Sequence, residues 1–138
     1  MDRISTGTRG EHSILVTSEV AIDFLGMEEA RVLATPHLIW NLEMAARNAI
    51  KPLLDAGFDS VGTEVNIKHL AATPLGMSAV FRAEVLLVEG NRVRFRVDAF
   101  DEKEKIAEGT HERYVVNIAR FATRVQAKAS GSGSGSGK

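Results

Sequence analysis

A single helix signal stands in this sequence, and almost everything after it reads as strand. Thr35-Pro36 opens the helix, because Thr is a favoured cap and Pro is favoured at the first helical position. Leu38, Leu42, Ala45, Ala49 and Leu53, with Ile39, Ala46 and Ile50 beside them, recur at spacings of three and four and make one broad apolar face. The alanines let a neighbouring backbone come close, Pro52 predicts a kink or restart, and Gly57 supplies the stop. Ahead of the helix, residues 12–24 carry Ile14, Leu15, Val16, Val20, Ile22 and Phe24 and read as an interrupted strand ended by Gly26. Behind it, runs at 61–70, 78–88, 92–100 and 106–121 read as strands. They are separated by Pro74-Leu75-Gly76, by Glu89-Gly90-Asn91 and by the charged stretch 101–105.

This order predicts an α+β domain in which four strands after the helix form an antiparallel meander and the sheet wraps the one long helix, each covering the other's apolar surface. The unpaired edges of such a sheet are protected when two copies join, so a homodimer is expected. Residues 1–129 make a single domain, and the Ser-Gly repeat at 130–138 reads as a flexible linker outside it.

Composition removes several chemistries. The chain has 17 basic and 18 acidic residues, too even a balance to draw in a nucleic acid. It has no cysteine, which excludes disulfides, thiol nucleophiles and thiolate metal sites and fits a cytoplasmic setting. No run reaches the roughly 18 apolar residues of a membrane span, so no membrane partner is expected. The four histidines, His12, His37, His69 and His111, form no close ligand pair, and neither a metal nor a cofactor is expected.

The remaining polar residues each carry two readings. Thr35 either caps the helix, stabilising it by ~1 kcal/mol, or places a hydroxyl beside unpaired helix amides that can hold an oxyanion. Glu43, a little over two turns on, borders the apolar face; it either pairs with Arg47 for ~0.3–0.5 kcal/mol or works at a site. Alternation over 61–70 puts Val61, Thr63, Val65, Ile67 and His69 on one side and Gly62, Glu64, Asn66, Lys68 and Leu70 on the other. His69 is then a satisfied core histidine or a base within reach of a substrate. Arg113 either pairs with Glu112 across strands or holds a phosphate or carboxylate. Arg92, Arg94 and Arg96 share one strand face, either as a solvated outer surface or as a cationic strip for a nucleotide-tailed substrate.

Four motifs in order make the chain resemble the hotdog-fold thioesterases, and within them the fluoroacetyl-CoA thioesterase-like group. They are Val32-Leu33-Ala34-Thr35 running into the helix with Glu43, Val61-Gly62-Thr63, His69-Leu70-Ala71-Ala72-Thr73-Pro74-Leu75-Gly76, and Gly109-Thr110-His111-Glu112-Arg113. Together they span about residues 14 to 121. The resemblance implies an acyl-CoA thioesterase, with Thr35, Glu43 and His69 as the catalytic set. It also implies substrate contacts at Gly62 and Arg113 and a site lying between the subunits of a hotdog dimer. Coenzyme A enters as part of a small or medium acyl-CoA substrate. One departure concerns specificity. The group's dedicated fluoroacetyl-CoA enzyme carries lid phenylalanines just before the helix, where this chain has Gly26-Met27-Glu28-Glu29-Ala30-Arg31, with Phe24 and Leu25 ahead of them.

Two other functions fit the same fold. A hotdog enoyl-CoA hydratase would act on a related thioester, although the hydratase signature is not evident here. A noncatalytic acyl-CoA-binding or scaffold dimer would bind without turnover.

Overall fold

The structure, a computed structural model, describes residues 3–131. Strand β1 (Arg9–Leu15) precedes helix α1 (Thr35–Ile50), and β2 (Phe58–His69), β3 (Ser78–Glu89), β4 (Arg92–Asp101) and β5 (Lys105–Asn117) follow, before a second helix α2 (Ile118–Ala129). The first strand is shorter than residues 12–24. It ends at Leu15, and Ser18–Val20 and Glu28–Ala30 are single 3-10 turns, because the polar run Thr17-Ser18-Glu19 breaks the apolar alternation. Helix α1 stops at Ile50, and Pro52 sits in a 3-10 turn over Lys51–Leu53 that ends the helical path as its ring requires.

All five strands form one antiparallel sheet in the order β1-β3-β4-β5-β2. The four later strands are therefore no simple meander: only β3, β4 and β5 are, and β2 lies beyond β5 at the far edge. The connection after His69 causes this. It docks on the segment ahead of α1, with Leu33 N–H donating to the Thr73 carbonyl at 2.9 Å and a bridge between Val32 and Pro74, and so returns the chain to the other side of the sheet. Residues 118–121, expected as the end of the last strand, instead begin α2. Asn117 caps it by accepting from Arg120 N–H at 3.0 Å, and no residue of α2 is buried.

The core lies between α1 and the inner sheet face. Leu38, Leu42, Ala45, Ala46 and Ile50 of the helix meet Phe81, Val85, Val93, Phe95, Val97 and Ile106 of the sheet. The helix sits mainly over β1 and β3 and meets β2, at the opposite edge of the sheet, through fewer contacts, among them those of Thr35 and Arg47. The outer face carries ion pairs: Arg92 with Glu89, Arg94 with Glu64 and Glu112, Arg96 with Glu84, and Arg82 with Asp98. Each arginine of the 92–96 strip thus has an acidic partner, as on a solvated face. No helix among the described residues is long and apolar enough to cross a membrane.

Candidate active site

Two polar clusters lie on the inner side of the sheet. In the first, Thr35 Oγ1 and His69 Nδ1 are 2.8 Å apart, across 34 residues of sequence. Thr35 is not the cap of α1. Ala34 occupies that position, Thr35 is the first helical residue, and its hydroxyl is turned to the histidine instead of to a backbone amide. His69 Nε2 is buried and, among the described residues, has no partner at hydrogen-bond distance. Burial holds the His69 imidazole below its ordinary pKa, partly offset by the Ala71 backbone, which favours the neutral ring.

The second cluster depends on a break in the strand. Between Gly62 and Glu64 the pairing of β2 with β5 slips by one residue: Gly62 faces Arg113, Glu64 faces Glu112, and Thr63 is the extra residue of a β-bulge. Strict alternation would put Gly62 on the face opposite His69; the bulge resets the phase, and Gly62, Val65, Ile67 and His69 share the inner face. A side chain at Gly62 would displace its neighbours, since a Cβ there would lie 2.7 Å from Glu43 Oε1 and 3.2 Å from His111 Cε1.

Glu43 does not pair with Arg47, which binds Asp59 through two hydrogen bonds of 3.0 and 2.6 Å. Its partner is Arg113, whose Nη1 lies 3.3 Å from Glu43 Oε1. Nor does Arg113 pair with its neighbour Glu112, which points to the other face and accepts from Thr63 and Arg94. The buried Arg113 guanidinium also donates to Ser60 Oγ at 2.7 Å and to the Ser60 carbonyl at 2.8 Å, and lies 3.2 Å from His111 Nε2. Burial lowers its pKa and the charge of Glu43 opposes that, but a guanidinium stays charged in any case. Ser60 is not among the residues singled out by sequence, and His111 enters there only as a member of the motif that ends in Arg113, with no role at the site. The available signal was the two-residue spacing of His111 and Arg113, which puts both on one strand face.

The structure thus brings Thr35 together with His69, and Glu43 with Gly62 and Arg113, as two groups. Eight residues of helix separate Thr35 from Glu43, about 12 Å along the axis. Seven residues of strand separate Gly62 from His69, about 20 Å.

The buried histidines make stability pH-dependent with a definite sign. Burial lowers the pKa of both His69 and His111 on folding, so the unfolded chain takes up protons first, and stability falls as pH drops below about 6.5. Asp59 acts at lower pH. The hydrogen bond from Arg47 depresses its pKa, so its contribution is present above the ordinary carboxylate range and lost as pH falls through the depressed value. Urea unfolding is expected to show a falling midpoint between pH 7 and pH 5; a flat midpoint would contradict the burial of these rings.

An antiparallel sheet wrapped on one long helix is the hotdog fold, and the solved structures that share it place the chain in the class of hotdog-fold thioesterases. Comparison with known proteins narrows it. Residues 16–119 match the fluoroacetyl-CoA-specific thioesterase family. The chain is 34% identical over 133 residues to the fluoroacetyl-CoA thioesterase of Streptantibioticus cattleyicolor, covering 92% of this chain and 96% of that protein. A solved structure of a fluoroacetyl-CoA thioesterase superposes with a TM-score of 0.82 at 34% identity, over 91% of this chain and 97% of the other. A Thermus thermophilus member of the thioesterase superfamily superposes with a TM-score of 0.85 at 28% identity, over 94% and 96% of the two chains. The chain belongs to the fluoroacetyl-CoA-specific thioesterase family.

Proposed function

We propose that this chain hydrolyses the thioester bond of a small or medium acyl-CoA, at a site that two copies complete together. The observation that carries the reading is the Thr35–His69 hydrogen bond of 2.8 Å at the entrance of α1, with the second nitrogen of the same ring buried and without a hydrogen-bond partner among the described residues. A neutral imidazole accepting from a hydroxyl is the arrangement in which a proton leaves oxygen as it attacks a carbonyl. His69 takes the proton from the Thr35 hydroxyl, or from a water that Thr35 holds, as oxygen adds to the thioester carbonyl. Helix amides and the Gly62 backbone stabilise the oxyanion. The C–S bond then breaks, coenzyme A leaves as the thiol, and water supplies the oxygen of the acid released. Glu43 assists proton transfer. No metal or cofactor enters this reading, and the cytoplasmic setting belongs to it.

The shared site rests on the separation of the two clusters. Within one chain Glu43 and Gly62 are too far from Thr35 and His69 to touch the same carbonyl. Strand β2 pairs only with β5 and so has a free edge. Antiparallel pairing of β2 with β2 of a second copy, centred near Val65, sets Gly62 of each copy opposite His69 of the other. Val65, at the centre of that pairing, is an apolar side chain left 39% exposed, and pairing of the two strands would cover it. Antiparallel β2 pairing predicts that Val65→Asp yields a folded monomer without thioesterase activity. Sedimentation velocity and thiol release from acetyl-CoA test it together, and an active monomer would remove the shared site. Hydration of crotonyl-CoA without thiol release would mark a hydratase instead, and saturable acyl-CoA binding without turnover a binding protein.

A further inference from the structure

His111 belongs to none of the steps above, yet it is 2% exposed and lies between the two features that shape the Glu43 half of the site. Its Nδ1 is 2.8 Å from the carbonyl oxygen of Glu64, the first paired residue after the bulge. A carbonyl only accepts, so Nδ1 carries the proton and Nε2 holds a lone pair. That lone pair faces Arg113 Nη1 at 3.2 Å, and the same Nη1 is 3.3 Å from Glu43 Oε1. With Ser60 accepting from Nε and Nη2, the guanidinium is held by partners that differ in kind: two protein oxygens, one ring nitrogen and one carboxylate. The ring itself is packed against Phe95, with centroids 6.0 Å apart and planes at 26°, and its Cε1 borders the space a Gly62 side chain would need.

We infer that His111 is a positioning residue for the hydrolysis. As a neutral ring protonated on Nδ1, it pins the bulge that turns Gly62 inward and orients Arg113, which in turn fixes the Glu43 carboxylate beside Gly62. This rests on the proposed function, since it assigns His111 a part in aiming two groups of that site. The position needs a ring nitrogen of each kind: a donor toward Glu64 and an acceptor toward Arg113. Lysine or arginine would place a second cation against Arg113, and an apolar residue would leave the Glu64 carbonyl and an Arg113 N–H without partners.

The two hydrogen bonds can be separated by substitution. In His111→Gln the longer amide reaches the position of Nε2 and accepts from Arg113; in His111→Asn the shorter amide reaches Nδ1 and donates to Glu64 but leaves Arg113 unheld. Thiol release from acetyl-CoA is measured as kcat and KM for the parent and both variants, each checked for folding by its thermal transition. His111→Asn is expected to lower kcat by about 10²-fold with little change in KM, the cost of a misplaced group, while His111→Gln retains more of the parent kcat. Placing His111→Asn on Glu43→Gln is expected to lower kcat little beyond Glu43→Gln alone, since the histidine acts through that carboxylate.

Equal losses in the Asn and Gln variants, losses that fall on KM, or full additivity with Glu43→Gln would overturn the assignment and leave His111 a packing residue. A parent that releases no thiol from acetyl-CoA or from a wider acyl-CoA panel would overturn the proposed function, and the assignment with it.

Discussion

His69→Ala is expected to lower thiol release from acyl-CoA by about 10²- to 10⁴-fold, the range for a positioned acid–base group, while leaving the protein folded. Among the described residues the ring is the hydrogen-bond partner of the Thr35 hydroxyl, and its second nitrogen has no partner at hydrogen-bond distance. Alanine therefore removes the base without leaving a buried partner stranded, because Thr35 is exposed and can turn to water. Stability at low pH should rise slightly, since a histidine whose pKa is lowered by folding opposes folding in acid. Lys68, the preceding residue, points to the opposite, exposed side of β2, and Lys68→Ala is expected to turn over as the parent does. The measurement is a panel of acyl-CoAs from acetyl to medium-chain and aryl, with free thiol followed for the parent and both variants. Turnover by His69→Ala within a few-fold of the parent would remove His69 from the chemistry.

The parts of this architecture that local pattern could reach are those set by neighbours in sequence. Apolar residues at spacings of three and four placed α1, and Gly90-Asn91 with the charged stretch 101–105 placed both turns of the β3-β4-β5 meander. Which strands lie side by side is not a local property. The alternation in residues 61–70 says which residues share a face, but only the docking of Thr73 and Pro74 on the pre-helix segment sends β2 to the far edge. The bulge at Thr63 is invisible for the same reason: one extra residue is recognised only against the partner strand, and it alone moves Gly62 to the face of His69. Helix α2 was hidden by composition. Ile118 and Phe121 continue an apolar run and read as the end of a strand until their helical spacing with Ala122 and Val125 and the Asn117 cap are weighed together.

The site follows the same division. Thr35, Glu43 and His69 stood out by residue type, place in the pattern and resemblance to a family. Their pairing did not, because Thr35 meets His69 across 34 residues and Glu43 meets Arg113 across 70. Glu43 and Arg113 each have a nearer candidate partner in sequence, Arg47 for Glu43 and Glu112 for Arg113. The folded chain uses neither, since Asp59 takes Arg47 and the strand turns Glu112 outward.

Gly10→Ala is expected to destabilise the fold by about 3 kcal/mol or more, the upper end for overpacking, although Gly10 lies in a regular strand and makes no polar side-chain contact. The alanines of α1 explain it. Ala45, Ala46 and Ala49 are buried and small, and they let the helix backbone settle directly onto β1. A Cβ at Gly10 would stand 2.3 Å from the Ala45 carbonyl oxygen, 2.4 Å from Ala49 N and 2.7 Å from Ala49 Cα. None of these atoms is the end of a flexible side chain, so relief requires α1 to lift from the sheet or β1 to leave it. Either movement opens the interface between Leu42, Phe81 and Val85 that forms the middle of the core.

Gly62→Ala provides the contrast. There the crowded atoms are the Glu43 carboxyl and the edge of the His111 ring, which can give way without moving the backbone. Thermal unfolding should therefore separate the two: Gly10→Ala lowers the transition by about 10 °C or more, whereas Gly62→Ala shifts it far less and loses turnover instead. Equal transition temperatures for Gly10→Ala and the parent would mean that the helix does not rest on β1 by backbone contact. The close approach through which α1 is seated against the sheet, and with it Thr35 at its N-terminus, would then have to be rejected.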